Sequence, residues 1–248
     1  MASRDFFLLI SAIALFSAIF VSDAAGSVGI NYGRVANNLP SPGKVVELLK
    51  SRGINKVKLY DTDATVLTAL ANSGITVVVA LPNELLASIA VDQSTADNWV
   101  QSNITKFYPQ TKIEATAVGN EVFVDPNNTT NYLVPAMKNI HASLVKSKLD
   151  SAIKISSPLA FSALQNSYPS SAGSFKQELV EHVIKPMLDF LKQTGSYLMV
   201  NAYPFFAYSA NSNQISPDYD LFKDNPGVVD SGFEAQIDAV FAALSAIQ

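Results

Sequence analysis

The sequence predicts an α/β protein that is built on a parallel β-sheet. Two observations support this prediction: short β-forming runs recur along the chain, and a segment of helical length follows each of them. Strands and helices that alternate in this way form parallel sheets with right-handed crossover connections. The predicted strands are also nearly continuous in apolar residues, which is typical of a sheet that helices cover on both faces.

Six strand–helix pairs follow one another in order. Asp61 and Asp63 precede the second helix, where an acidic side chain caps the first turn, and Glu84 stands where the third helical segment opens. The fourth helix keeps its apolar residues at helical spacing despite Pro135. The predicted strands, each with the helix that follows it, are 27–33 with 42–51, 56–61 with 64–71, 75–82 with a helical stretch ending near Phe107, 112–121 with 132–149, 153–160 with 178–192, and 197–206 with 233–247.

The N-terminal segment is predicted to be a targeting signal and not a part of the folded domain. Arg4 is followed by an apolar run from Phe6 to Val21 and then by small residues up to Gly26. This is the order of a secretory signal peptide, and the run is short for a membrane-spanning helix, which needs about 20 apolar residues. We therefore predict a signal peptide at 1–26, a mature domain at 27–248, and secretion to the extracellular space or cell wall.

Three sequons agree with secretion. Asn103, Asn127 and Asn128 each begin an N-x-[ST] triplet and are candidate glycosylation sites. Asn127 and Asn128 stand in a loop-like segment rich in Pro and Asn, where an acceptor is accessible.

The composition excludes several kinds of function. The chain of 248 residues has a formal net charge of −4, two His and no Cys. Two His and no Cys leave few side chains to ligate a transition metal and none for thiol chemistry. The absence of a basic cluster argues against a nucleic-acid partner. We predict no metal, no cofactor, no membrane anchor and a monomeric state. His141 and His182 are predicted on helices, as surface or packing residues.

Two parallel architectures fit the strand order: an open doubly wound sheet and a (β/α)₈ barrel. An open dinucleotide-binding sheet needs a glycine-rich turn after its first strand, and no G-x-G-x-x-G follows here. In a barrel the active site forms at the carboxyl ends of the strands. Aromatic and amide side chains gather at those ends, with one carboxylate among them: Tyr32, Tyr60, Asn83, Asn120, Glu121, Asn201, Tyr203 and Phe206. This set predicts a carbohydrate cleft, because aromatic rings stack on sugar faces and amides bond hydroxyl groups.

Six sequence blocks carry a family resemblance. In order they are GINYG, KVKLYD, TVVVALPNELL, VGNEV, SSPLA and VNAYPFF. Together they resemble the plant β-1,3-glucanases of glycoside hydrolase family 17, over essentially the whole chain from Ser27 onward. The resemblance implies a (β/α)₈ barrel and retaining endo-hydrolysis of β-1,3-glucan, the expected partner.

The resemblance also implies roles for individual residues. Glu121 matches the general acid/base at the tip of the fourth strand, and Asn120 matches an amide that contacts the sugar. Tyr32, Tyr203 and Asn201 match residues of the cleft. Three further strand-end residues complete the predicted substrate-binding set: Tyr60, Asn83 and Phe206.

One part of the family pattern has no counterpart in the sequence. The nucleophile is expected on a seventh strand, in a block resembling VVVSESGWPS, and no such block occurs. We therefore expect about six of the eight strand–helix units, and a chain that folds poorly and hydrolyses glucan slowly or not at all. Asp61 and Glu84 are weak substitutes, because helix-start roles account for them. The alternative function is that of a non-catalytic β-glucan-binding form. A third reading, a nucleotide-binding protein with an open sheet, is opposed by the missing glycine-rich turn.

Overall fold

The structure is a computed structural model that describes residues 28–210, 212–213, 217–220 and 232–247. The predicted signal peptide at 1–26 lies outside the described residues. Within these ranges, no helix is both long enough and apolar enough to cross a membrane.

The centre of the fold is a five-stranded parallel sheet whose strands are neighbours in chain order, as the sequence predicts. Each of the four neighbouring pairs is parallel. The five strands are β1 (Ile30–Tyr32), β2 (Lys56–Leu59), β3 (Thr76–Leu81), β4 (Lys112–Val118) and β5 (Lys154–Ser156).

The predicted strand at 153–160 is divided in the structure. It forms β5 and a second strand, β6 (Pro158–Ala160), with Ser157 between them. Proline has no N–H to donate to a strand ladder, so Pro158 interrupts the pairing. β5 pairs with β4, whereas β6 pairs in parallel with a later strand. The interruption therefore changes the partner of the strand and not its direction.

An antiparallel strand pair that no sequence pattern predicted follows β6. It consists of β7 (Leu164–Asn166) and β8 (Ser174–Phe175). The last strand, β9 (Met199–Asn201), is the partner of β6 and ends well before the predicted limit at 206. A helix begins at Pro204 instead, because the fixed φ of proline suits the first turn of a helix.

Helices connect the parallel strands, close to the predicted bounds. The helical segment predicted at 178–192 is continuous, since a π-helical turn at Val180–Ile184 joins its two α-helical parts. The helices are α1 (Pro42–Ser51), α2 (Ala64–Leu70), α3 (Leu86–Val91), α4 (Gln93–Val100), α5 (Leu133–Lys146), α6 (Gln177–Leu179), α7 (Lys185–Thr194), α8 (Pro204–Ala210), α9 (Pro217–Asp220) and α10 (Gly232–Ser245).

The two faces of the sheet pack differently. Along the buried strand β3, Val77 and Val79 point to the main core, which the helices share. Val78 alternates with them and belongs to a separate cluster with Ala80, Ala115 and Ala117, against which Met199 packs. β3, β4 and β9 thus contribute to one inner surface. The prediction of an α/β fold of the TIM-barrel type is confirmed. Among the described residues, the parallel strands take six positions when β5 and β6 are counted as the two halves of one strand.

Candidate active site

A sharp turn at the carboxyl end of β4 presents the predicted catalytic residue. Gly119 has a φ of 68°, and Glu121 also adopts the left-handed conformation, with a φ of 51° and a ψ of 41°. A non-glycine residue in this conformation is disfavoured by about 1–2 kcal/mol. Residues in strained conformations persist where their surroundings hold them, and they are frequent at functional sites.

Hydrogen bonds to the segments on either side hold this turn. On the β3 side, the Asn83 Oδ1 atom accepts from the Asn120 N–H at 2.8 Å, and the Asn83 Nδ2 atom donates to the Asn120 carbonyl at 3.0 Å. On the other side, the Glu121 N–H donates to the carbonyl of Pro158 in β6 at 2.9 Å. The backbone of residues 120 and 121 is therefore fixed from both sides.

The carboxylate of Glu121 meets an amide from the end of β9. The Asn201 Nδ2 atom donates to Glu121 Oε1 at 2.6 Å and lies 3.3 Å from Asn120 Oδ1. All three side chains are partly buried. Residues that are 80 positions apart in the chain thus form one hydrogen-bonded group.

A tyrosine hydroxyl adds a second donor beside this carboxylate. Burial raises the pKa of Tyr203, and the nearby charge of Glu121, to which its hydroxyl is hydrogen-bonded, raises the pKa further. A phenol with a raised pKa keeps its proton at neutral pH, so Tyr203 remains a hydrogen-bond donor to the carboxylate.

A lysine that was not among the predicted residues also faces the site. Lys58 lies on β2, partly buried, and its Nζ atom is 4.3 Å from the centre of the Tyr60 ring. Burial lowers the pKa of Lys58, and the charge of Glu121 partly opposes this effect. The alternation in KVKLYD places Lys58 and Tyr60 on the same side of the strand, which is the signal that identifies this lysine.

An open groove lies at the ends of β1 and β2. It has a volume of about 550 Å³ and is lined by Tyr32, Arg34, Tyr60 and Asp61, among others.

Arg34 forms ion pairs with Asp61 and with Asp63, the latter at 3.2 Å. The guanidinium therefore ties the loop after β1 to the loop after β2. No sequence pattern pointed to Arg34, because its partners lie 27 and 29 positions later in the chain.

Exposed aromatic rings continue the surface beyond Glu121. Tyr203 is 47% exposed and Phe206 is 61% exposed, and their ring centres are 5.3 Å apart. Phe206 lies on α8 rather than on a strand, yet it still stands next to the strand end. The structure therefore brings Glu121, Asn120, Asn201, Tyr203 and Phe206 to one place.

The other carboxylates at the strand ends have structural partners or positions. The prediction that Asp63 caps a helix is confirmed, since its side chain accepts from Thr65 N and Val66 N at the start of α2. The helix-start role predicted for Asp61 is wrong: its carboxylate pairs with Arg34 and accepts from the Asp63 N–H at 3.1 Å, so it does not cap α2. Glu84 is exposed in the short 3₁₀ turn at Asn83–Leu85, as expected for an acid in a first turn.

The predicted glycosylation sites differ in their surroundings. Asn103 is partly buried, and its side chain accepts from Thr62 Oγ1 at 2.7 Å and donates to the Trp99 carbonyl at 2.9 Å. Asn127 and Asn128 are both exposed.

The two histidines lie on helical segments, as predicted. The ring of His141 contacts Phe190 edge to face at 5.7 Å, and His182 is exposed. Among the described residues, no group of three or more His, Cys, Asp or Glu side chains is placed to hold a metal ion.

Comparison with known proteins gives consistent similarities. Residues 28–248 match the sequence model of the family described as glycosyl hydrolases family 17. The chain is 45% identical to glucan endo-1,3-beta-glucosidase 10 of Arabidopsis thaliana over 244 residues, which is 95% of this chain and 56% of that protein. It is 41% identical to glucan endo-1,3-beta-glucosidase 11 of the same plant, over 92% of this chain and 55% of that protein.

A solved structure extends the similarity to three dimensions. CJP38, a β-1,3-glucanase and allergen of Cryptomeria japonica pollen, superposes with a TM-score of 0.84 at 41% identity, over 90% of this chain and 71% of that chain. The chain spans about half the length of the curated relatives that it matches.

Proposed function

This chain belongs to glycosyl hydrolases family 17, and on that premise we propose that it acts on β-1,3-glucan, with Glu121 as the general acid/base. The observation that carries the proposal is the geometry at the end of β4. A strained backbone holds one carboxylate against Asn201 at 2.6 Å, and the exposed ring of Tyr203 lies beside it. Its relatives are described as glucan endo-1,3-beta-glucosidases.

The chemistry follows from the position of this carboxylate. In the first step, protonated Glu121 gives its proton to the glycosidic oxygen while a second carboxylate attacks the anomeric carbon, so that the sugar–oxygen bond breaks and a glycosyl–enzyme ester forms. In the second step, Glu121 accepts a proton from water, and the water oxygen displaces the ester. Asn201 and Tyr203 donate hydrogen bonds to the ionised form of Glu121, which orients it for this second step.

The second carboxylate is proposed to lie outside the described residues. A retaining enzyme needs the two carboxyl groups about 5–5.5 Å apart. Asp61 is held by Arg34, Asp63 caps α2, and Glu84 points from an exposed turn after β3. None of these is free to act as the nucleophile without losing its present role or position. On this proposal the chain as given hydrolyses unactivated glucan slowly or not at all.

Binding without hydrolysis is the second candidate function. The exposed rings of Tyr203, Phe205 and Phe206 favour it, because such rings supply flat apolar surfaces for sugars. A chain that binds β-1,3-glucan without turnover satisfies this candidate. A chain that hydrolyses it with retention of anomeric configuration excludes it and identifies a nucleophile in the chain, with Asp61 the first to be tested.

The substitution Glu121→Gln tests the catalytic assignment, and Glu84→Gln is the matched control. The amide keeps the shape of the side chain but has no acidic proton, and general acid catalysis contributes about 10²–10⁴-fold. We expect that loss in the rate on unactivated β-1,3-glucan, in a chain that carries the second carboxylate. A substrate with a good leaving group is expected to lose much less in its glycosylation step.

Affinity separates catalysis from binding in the same experiment. The dissociation constant of an unhydrolysed β-1,3-gluco-oligosaccharide, measured calorimetrically, is expected to change little in either variant. Equal rates on polymeric glucan for Glu121→Gln and the parent would refute the role of Glu121.

The secretion of the protein, its glycosylation and its oligomeric state are also proposals. The order of charged, apolar and small residues over 1–26 supports secretion, and the exposed Asn127 and Asn128 support glycosylation of their loop. Sequencing of the mature N-terminus after expression in a plant cell is expected to give a start near Ser27. We further propose that the secreted protein is a monomer.

A further inference from the structure

The side-chain amide of Asn83 is occupied by contacts inside the protein. Its Oδ1 atom accepts from the Asn120 N–H at 2.8 Å, and its Nδ2 atom donates to the Asn120 carbonyl at 3.0 Å. Both polar groups of one peptide residue are thus bound by one side chain from the neighbouring strand end. Asn83 follows β3 by two positions, whereas Asn120 follows β4, so this contact joins two loops that are 37 positions apart.

The same amide also reaches the loop that follows Glu121. Hydrogen bonds from the Asn127 N–H and the Thr129 hydroxyl lower the pKa of Asp125, and a weaker contribution comes from the Asn83 side chain. The hydrogen bonds that fix the position of the Asn83 amide are the two to the backbone of Asn120, and these two polar contacts are therefore not available to a sugar hydroxyl.

The backbone that Asn83 holds is the strained segment of the site. Gly119 and Glu121, on either side of Asn120, both have positive φ values, of 68° and 51°. A Cβ atom on Gly119 would lie 2.9 Å from Asn83 Oδ1, so the absence of a side chain there leaves the space that the amide uses. Strained residues of this kind persist only when several contacts fix them.

We propose that Asn83 is a positioning residue: it holds the peptide of Asn120 so that the carboxylate of Glu121 stays against Asn201, and it does not contact the substrate. This role replaces the substrate contact expected from the sequence. Its catalytic consequence rests on the proposed function, since it concerns the delivery of a proton by Glu121. The contact of Asn83 with the Asn120 peptide, and its effect on the position of Glu121, do not depend on that function.

The variant Asn83→Ala tests the proposal, and Asn139→Ala is the matched control. Asn139 is also partly buried, and its Nδ2 atom donates to the carbonyls of Ile89 and Ala90 at 2.8 and 3.1 Å, away from the site. Both changes remove an asparagine amide that binds backbone, so both are expected to lower the Tm. A change that appears in Asn83→Ala alone is specific to the position.

The first readout is nuclear magnetic resonance of the chain without any sugar. In Asn83→Ala we expect faster hydrogen exchange at the Asn120 amide and a shift of the Asn201 side-chain NH₂ signals, because the contact with Glu121 loosens. The control is expected to leave both signals as in the parent. If the signals of Asn120 and Asn201 do not move in Asn83→Ala, the positioning role is refuted.

The second readout is the affinity for a β-1,3-gluco-oligosaccharide together with kcat and KM on β-1,3-glucan. A misplacement of about 1 Å in a catalytic group can cost about 10²-fold in rate. In a chain that carries the second carboxylate, we therefore expect kcat to fall by that order while affinity and KM stay nearly constant. A large loss of affinity with an unchanged Asn120 amide would overturn the proposal in favour of direct sugar contact.

A milder variant guards against a failure to fold. Asn83→Asp keeps the oxygen that accepts from the Asn120 N–H but loses the donor to the Asn120 carbonyl, and it places a second carboxylate near Asp125. It is expected to show an intermediate effect on the Asn120 and Asn201 signals. If the parent neither binds nor cleaves glucan while these signals respond as expected, the positioning role stands and the proposed function fails.

Discussion

Replacing Gly119 with alanine tests how tightly the turn before Glu121 is packed. Gly119 is buried, has a φ of 68°, and a Cβ atom there would lie 2.5 Å from Val122 Cγ2 and 2.9 Å from Asn83 Oδ1. Two costs therefore add. A left-handed alanine costs about 1–2 kcal/mol, and overpacking a buried site typically costs about 1–3 kcal/mol more, so Gly119→Ala is expected to lower the free energy of unfolding by about 2–5 kcal/mol.

The control for this substitution is Gly53→Ala. Gly53 has nearly the same φ, 69°, but it is exposed and nothing lies within 4 Å of its Cβ position. It carries the conformational cost without the overlap, so about 1–2 kcal/mol is expected. The difference between the two variants, about 1–3 kcal/mol, isolates the packing around Asn83 and Val122.

Urea denaturation of both variants and the parent measures this difference directly. The loss is read from the shift of the urea midpoint at constant slope. Gly119→Ala is also expected to disturb the Asn120 and Asn201 signals, because Asn83 must move to admit the methyl group. If Gly119→Ala is no more destabilising than Gly53→Ala, the overlap argument is wrong and the turn has room to relax.

Two further predictions concern the support of the sheet by its helices. Asp63→Ala removes the cap of α2 and is expected to destabilise the chain by about 1 kcal/mol in urea, whereas Asp63→Asn, which keeps the acceptor, is expected to retain most of that stability; equal losses in both variants would point to the ion pair with Arg34 instead. Hydrogen bonds from Lys146 first, and then from Ser143 and Gln93, lower the pKa of Asp97 from 3.8 to about 2. Because the pKa is lower in the folded state than in the unfolded state, the ionised Asp97 adds to the free energy of unfolding above pH 4, and this addition is lost as the pH falls from about 4 to about 2. Asp97→Asn is therefore expected to flatten the dependence of the free energy of unfolding on pH in that window. An unchanged slope would contradict the assignment.

The order of the elements was readable from the sequence because it depends on local patterns. β3 is buried at every position and reads as an uninterrupted apolar run, and Asp63 precedes α2 as a capping residue should. The tip of β4 was equally readable, since the apolar residues stop and an amide and a carboxylate follow. These features depend on neighbours within one or two turns of chain.

Some boundaries were misjudged where two local signals compete. The run from 153 to 160 reads as one strand, yet Pro158 divides it and gives its second half a different partner. The aromatic residues after Asn201 favour a strand by propensity, whereas Pro204 starts a helix there. In both places a single proline outweighs the surrounding apolar pattern, because it removes a hydrogen-bond donor and fixes φ.

Local patterns in the sequence indicate most of the side chains that stand at the strand ends, whereas the role of each one depends on the packing of the strands. Asn83, Asn120 and Asn201 look alike in the sequence, as polar residues after apolar runs. In the structure Asn201 reaches the Glu121 carboxylate, whereas Asn83 is consumed by the backbone of Asn120. The difference arises from the register and order of parallel strands, which bring together atoms that are 37 to 81 positions apart, and no local periodicity encodes those distances.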